Sequence, residues 1–252
     1  MPNILITGCS SGFGLAIAQK FVAEGWDVVA TMRTPRTDLL PPNERLKILA
    51  LDVTNADSIA NAVEAAGPID ALVNNAGVGM LNALEGAEMS KIRELFETNV
   101  FGTIAMTKAV LPQMRTRRSG AIVNVSSTVT LKPVPALSVY SASKAALNAF
   151  TESIALEAAL FGVRAKLVLP GSAPATGFGK NAVARMGVDI PEPYSAFVHD
   201  YLTTLRSNTK CTTPDEVADA VWRAVTDPQA PMKIPAGADA QTWFHEAGHA
   251  TA

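Results

Sequence analysis

Cysteine is nearly absent: Cys9 and Cys211 are the only two in 252 residues. That excludes a disulfide framework and makes a reduced compartment, the cytoplasm, the expectation. Excess charge of one sign is missing too. With 21 basic and 23 acidic residues the formal net charge is -2, so composition offers no reason to expect a nucleic-acid or membrane-surface partner. No apolar run reaches the roughly 20 residues of a membrane span. No signal peptide is visible, because a strand-like run begins by Asn3 without a basic flank. Internal repeats and low-complexity linkers are absent as well.

What is present is a chain 48% hydrophobic and 17% charged, enough to bury a large core. Apolar, β-branched runs alternate with longer amphipathic segments. The runs Ile4–Thr7, Asp27–Met32, Leu46–Leu51, Ala71–Asn74, Ala121–Ser126, Val163–Leu169 and a short one near Met232–Ile234 read as strands. Helices are expected at Phe13–Glu24, Ala56–Ala65, Met89–Arg115, Val139–Phe161 and Pro214–Thr226. "AIVNV" and "AKLVL" are continuously apolar, as strands buried on both faces are. The alternation implies a parallel sheet with helices on both faces, an α/β architecture spanning 1–252 as one domain. Thr213-Pro214-Asp215-Glu216 has the form of a capping box with proline at the first helical position. The segment from Pro170 to Cys211 has another texture, with Gly, Pro, Phe and Tyr and weak periodicity. It reads as a structureless insertion or, at about 172–211, a substrate lid. The sequon at Asn124 falls inside an expected buried strand and is discounted. Arg115–Ser119 is expected to be a solvated loop.

"TGCSSGFG" sits between the first strand and the first helix. Gly8, Gly12 and Gly14, with Ser10, Ser11 and Phe13 among them, leave the backbone free to approach a ligand. The helix that follows offers unpaired N–H groups and the positive end of its dipole, which together suit a pyrophosphate. The spacing is G-x-x-x-G-x-G rather than G-x-G-x-x-G. At the end of the second strand an acidic residue would hold the ribose 2′-OH of NAD. Arg33 stands there instead, with Arg36 close behind. An arginine fork suits a 2′-phosphate, so NADP(H) is expected over NAD(H); a merely solvated arginine is the alternative.

Tyr140 and Lys144 lie four apart on an expected helix and so share a face. A nearby ammonium favours the phenolate, so Lys144 is expected to lower the pKa of Tyr140 and make it a general acid/base. Ser127 ends a strand thirteen positions earlier, where its hydroxyl could meet a substrate carbonyl.

In this order and spacing, "TGCSSGFG", "LDVT", "NNAG", "TNVFG", "VSS", "YSASK" and "LPG" resemble the short-chain dehydrogenase/reductases. The resemblance runs from Asn3 to about Pro235. It implies a Rossmann-type, doubly wound, seven-stranded parallel sheet and hydride transfer between a nicotinamide cofactor and an alcohol or carbonyl. By resemblance, Tyr140 is the catalytic acid/base, Lys144 lowers its pKa and binds the nicotinamide ribose, and Ser127 polarises the carbonyl. Asn99 completes the tetrad through a water-mediated proton relay. Asp52 and Val53 contact the adenine. Asn74, Ala76 and Gly77 line the cofactor cleft, and Pro170 and Gly171 border the nicotinamide. Two departures stand out. "PGSAPAT" places Thr176 one position late for its expected contact with the cofactor amide. "IPAGADA" replaces a "VDGG" ending that helps build tetramers, so homodimer and homotetramer both stay open. The similarity is to NADPH-preferring members such as carbonyl reductases and steroid-type dehydrogenases.

Pocket walls are expected from Val78, Leu131, Pro133–Leu137, Phe178, Tyr194, Phe197, Val198 and Tyr201, which favours a hydrophobic ketone, aldehyde or alcohol. Two other functions compete. One is an NADP(H)-binding sensor without turnover. The other is a zinc hydrolase, from the H-E-x-x-H pattern of His245, Glu246 and His249; a frayed C-terminal tail, with no metal, is the plainer expectation. His199, the remaining histidine, falls in the suspected lid.

Overall fold

Ile4, Leu5 and Ile6 offer no polar group to either side, and the strand they form, β1 (Asn3–Ile6), is buried on both faces. The computed structural model describes residues 1–186, 190–207 and 210–249. Six more strands join β1: β2 (Asp27–Met32), β3 (Leu46–Ala50), β4 (Ala71–Asn74), β5 (Gly120–Val125), β6 (Val163–Pro170) and β7 (Lys233–Ala236). All pair in parallel in the order β3-β2-β1-β4-β5-β6-β7, a Rossmann-type sheet. Register is fixed by burial: Ile4 pairs with both Val28 and Ala71.

Alternation along the strands builds two cores. Ile4, Ile6, Val28 and Ala30 face α1 (Gly12–Ala23) and α8 (Pro214–Thr226), meeting Ile17, Phe21, Val217 and Val221. Leu5, Val29, Leu72 and Ile122 face the opposite side. There they meet Ile59 of α2 (Ala56–Ala66), Met106 and Val110 of α4 (Gly102–Arg117), and Ala158 of α5 (Ser138–Ala159). The capping box of α8 is formed: the Thr213 hydroxyl accepts from the Glu216 N–H, while the Glu216 carboxylate accepts from the Thr213 N–H at 2.8 Å. Asn124 is fully buried in β5, as its discounting required.

Three stretches depart from the sequence reading. The single helix expected over Met89–Arg115 is α3 (Met89–Phe96) and α4 joined by one wider turn, Glu97–Phe101. Such a turn adds about one residue per revolution, so the helical run continues and only the phase of its apolar pattern shifts. The 172–211 segment is not structureless. It carries α6 (Phe178–Met186) and α7 (Glu192–Ser207), while its positions 187–189 and 208–209 lie outside the described residues. Ala182 and Val198 are buried, but most described side chains around them are exposed, so no broad apolar stripe announces these helices. The described part of the C-terminal stretch is not frayed either: α9 (Ala238–Glu246) buries Asp239, Ala240 and Phe244, while positions 250–252 lie outside the described residues.

Among the described residues no helix is long and apolar enough to cross a membrane. The strand order reverses between β1 and β4, and in such sheets ligands bind outside the carboxyl ends of the strands at that point.

Candidate active site

The turn after β1 and the turn after β4 meet at this switch point. Gly8 has φ of 76°, a region that favours glycine, and a Cβ there would stand 2.9 Å from Ala76 Cα. A Cβ on Gly14 would overlap the Gly8 carbonyl and the Asn75 amide. Thr7 and Asn75, which sequence reasoning passed over, hold the two turns together. The Thr7 hydroxyl accepts from the N–H groups of Asn75 (3.0 Å) and Ala76 (2.9 Å). Asn75 Nδ2 donates to Thr7 O (3.0 Å) and Gly8 O (3.2 Å). Their signal was the "NNAG" run itself, in which Asn75 rather than Asn74 reaches the turn.

The start of α1 is left uncapped. Ser11, its N-cap residue, makes no side-chain cap bond, and the first turn carries no acidic residue. Ser10 and Ser11 are exposed there, and Phe13 packs on the core beneath. A glycine cradle over an uncapped helix start fits a pyrophosphate. Arg33, directly after β2, is exposed and makes no ion pair or hydrogen bond among the described residues. Arg36 is spent on Asp38, at 2.6 Å. Thr176 reaches this turn from the far side: a Cβ on Gly12 would meet Thr176 Cβ at 3.4 Å, while its hydroxyl donates to Ala173 O at 2.8 Å.

Around the switch point the other expected residues sort into two groups. The Asp52 carboxylate accepts from the Thr54 N–H (2.9 Å) and hydroxyl (2.7 Å) in a local turn, and Val53 is buried against Gly102. The Asn74 side chain does not line a cleft. It is buried, donating to Asn124 Oδ1 at 2.8 Å and Thr107 Oγ1 at 3.2 Å in a polar seam that continues to Thr151.

The chemical groups converge beside these turns. Tyr140 and Lys144, on the first turns of α5, are 8% and 5% exposed. Ser127, just beyond β5, has its side chain close enough to the Tyr140 hydroxyl to favour its ionised form. Lys144 Nζ donates to Val125 O at 2.9 Å and lies 5.9 Å from the centre of the Tyr140 ring. Asn99 sits in the wide turn, and its amide clamps Val78: Oδ1 accepts from Val78 N–H (2.8 Å) and Nδ2 donates to Val78 O (2.9 Å). The other Nδ2 proton goes to Ser143 Oγ at 3.2 Å. Both amide protons are therefore spent on positioning. A Cβ on Gly77 would stand 3.3 Å from Asn99 Oδ1 and 3.6 Å from Lys144 Nζ, so the two side chains approach one point.

Burial sets the electrostatics. It lowers Lys144 from its ordinary 10.5 to about 8. It raises Tyr140 to about 12, with the Ser127 side chain opposing. The lowering of the tyrosine expected from Lys144 is not found in the chain alone: desolvation raises it, and the influence that opposes is Ser127.

Apolar side chains surround Tyr140: Met80 and Leu95 with Val78, Val129 and Leu137. Phe178 of α6 packs 5.9 Å from the Tyr140 ring, and a Cβ on Gly79 would come within 2.8 Å of it. Val198 is buried, Tyr201 is half-buried, and Tyr194 hydrogen-bonds Glu85. Two expected walls are elsewhere. Leu131 packs under the sheet on Leu167, Leu169 and Phe244, and Phe197 is exposed. The H-E-x-x-H pattern does not form a metal site, because α9 ends at Glu246. Beyond it His249 stacks on Phe244 at 4.7 Å, and Glu246 pairs with Lys132 at 3.1 Å. No cluster of three potential metal ligands occurs among the described residues.

A parallel, doubly wound sheet with a glycine turn facing a buried Ser-Tyr-Lys cluster has the build of a dinucleotide-dependent oxidoreductase. The profile of one family, described as short chain dehydrogenase, matches residues 2–186. The chain belongs to that family. It is 35% identical over 252 residues to retinol dehydrogenase 8 of Bos taurus, covering 92% of this chain and 80% of that protein. A short-chain dehydrogenase structure from Streptomyces avermitilis superposes with a TM-score of 0.83 at 35% identity, covering 97% of this chain and 91% of that one. A short chain dehydrogenase from Burkholderia cenocepacia, in complex with NADP, superposes with a TM-score of 0.79 at 26% identity, covering 98% and 92%.

Proposed function

We propose that this chain is an NADP(H)-dependent oxidoreductase that interconverts a hydrophobic ketone or aldehyde and its alcohol. The observation that carries this reading is the buried Ser127–Tyr140–Lys144 cluster set against the glycine turn. The cradle of Gly8 and Gly14, the uncapped start of α1 and the free Arg33 fork fit a phosphorylated dinucleotide. That a relative in this family is structurally known with NADP supports the choice. Bound there, the nicotinamide supplies or accepts the hydride.

The protein's share is positioning and proton transfer. Ser127 donates a hydrogen bond to the carbonyl oxygen. Tyr140, held protonated by its burial, gives its hydroxyl proton to that oxygen as negative charge develops on it. Lys144 steadies the phenolate that remains, through its charge 5.9 Å from the ring. Asn99 holds the Gly77–Val78 backbone at the cleft. Val78, Val129, Leu137 and Phe178 exclude water and favour an apolar substrate. The 172–211 segment acts as a lid within a single domain of 1–252, and its Tyr194–Glu85 hydrogen bond latches α7 onto the turn before α3.

The test is NADPH oxidation, followed by absorbance, over a panel of hydrophobic ketones and aldehydes. Tyr140→Phe is expected to lose about 10²- to 10⁴-fold in rate while still binding NADPH. Undiminished turnover in that variant refutes the role of Tyr140. NADPH binding without turnover of any carbonyl in the wild type points to a sensor instead.

A further inference from the structure

The loop after β6 is held by a carboxylate from the far end of the chain. Asp239, at the start of α9, is 6% exposed. Its Oδ2 accepts from the Ser172 N–H at 2.6 Å. Its Oδ1 accepts from the Ala240 N–H at 2.9 Å and from the Thr212 hydroxyl at 2.8 Å. Thr212 is 1% exposed, and its hydroxyl oxygen in turn accepts from the Gly171 N–H at 2.9 Å. The Thr212 N–H donates to Ser172 O at 2.7 Å. Residues 171–172 and 212 are the two ends of the segment that carries α6 and α7. Asp239 and Thr212 therefore join both ends at one buried point. A Cβ on Gly171 would fall on the Asp239 carboxylate, so the close approach depends on glycine there.

We propose that Asp239 is a positioning residue for the cofactor site: through Ser172 and Thr212 it fixes the Gly171–Ser172 backbone at the mouth of the cleft and ties the two ends of the 172–211 segment together. The proposal rests on the reading of Pro170–Gly171 as the border of the nicotinamide site. Its chemistry is a buried anion that gathers backbone and hydroxyl donors which would otherwise be unpaired. Asparagine can replace it. Its Oδ1 would accept from Ser172, its Nδ2 would donate to Thr212 Oγ, and the Thr212 proton would turn to Ala236 O, already 2.8 Å away, while the Ala240 N–H in the first turn of α9 would lose its acceptor.

The experiment measures amide hydrogen exchange and NADPH affinity in the wild type, Asp239→Leu, Asp239→Asn and Thr212→Val. In Asp239→Leu, exchange at Gly171 and Ser172 is expected to rise about tenfold to a hundredfold, and the NADPH Kd to weaken about tenfold, with Ile4–Ile6 unchanged. Asp239→Asn, which keeps the links to Ser172 and Thr212 but not the bond from Ala240 N–H, should restore most of both values. Thr212→Val, which keeps the side-chain shape, should speed Gly171 in the same way and decides the matter if the leucine variant does not fold. Unchanged exchange at 171–172, or faster exchange spread equally to Ile4–Ile6, overturns the clamp. Faster local exchange with unaltered NADPH affinity overturns its role at the cofactor site. A wild type that does not bind NADPH ends the cofactor reading instead, and the exchange data still decide whether the clamp exists.

Discussion

Replacing Lys144 by methionine should change how the stability of this protein depends on pH. The ammonium is buried, and burial alone lowers its pKa from 10.5 to about 8. At roughly 1.4 kcal/mol per decade of proton affinity, that difference is about 3 kcal/mol. Below pH 8 both the folded and the unfolded chain carry the proton, and the folded state bears the whole cost. Between pH 8 and 10.5 the folded chain releases the proton before the unfolded one does, so stability rises with pH. Tyr140, raised to about 12, acts oppositely, but its effect begins near pH 10. From pH 7 to pH 9 the wild type should therefore gain about 1 kcal/mol relative to Lys144→Met. The variant also loses the bond to Val125 O. That loss costs about 1–3 kcal/mol at every pH and shifts the curve without tilting it. Urea unfolding of both proteins without added cofactor, at pH 7, 8 and 9, reads the tilt directly. Parallel stability curves would refute a desolvated ammonium at 144.

Arg33→Ala should weaken NADPH about 10- to 100-fold, the loss of one or two charge-assisted bonds, and leave NADH affinity unchanged; titration with both cofactors measures it. Gly79→Ala should push the Phe178 ring off Tyr140, because the new Cβ would lie 2.8 Å from it, and raise KM for an apolar ketone several-fold more than it changes NADPH Kd. Thr213→Ala removes the hydroxyl half of the α8 capping box and should cost about 1 kcal/mol in urea unfolding, with kcat unaffected.

Local chemistry was enough to read much of this molecule from its sequence. Ile4–Ile6, Val28–Ala30 and "AIVNV" are short, β-branched apolar runs that read as strands buried on both faces, and they are so in the fold. The glycine turn and the shared face of Tyr140 and Lys144 follow from residue type and spacing, because each is set by a few neighbours along one element; the roles given to Ser127, Tyr140 and Lys144 rested on the resemblance to the family. The capping box at Thr213 is equally local. Tertiary structure decided what depends on residues far apart in the chain. Asn75 rather than Asn74 braces the turn, because β4 carries Asn74 inward to Asn124. Leu131 goes to Phe244 rather than to the pocket because α9 folds under the sheet. Burial, a property of the whole fold, raises the pKa of Tyr140 where the sequence argued for lowering it. Asp239 was silent in the sequence because its partners, Ser172 and Thr212, lie 67 and 27 positions away, and only packing brings a buried carboxylate to the donors that need it.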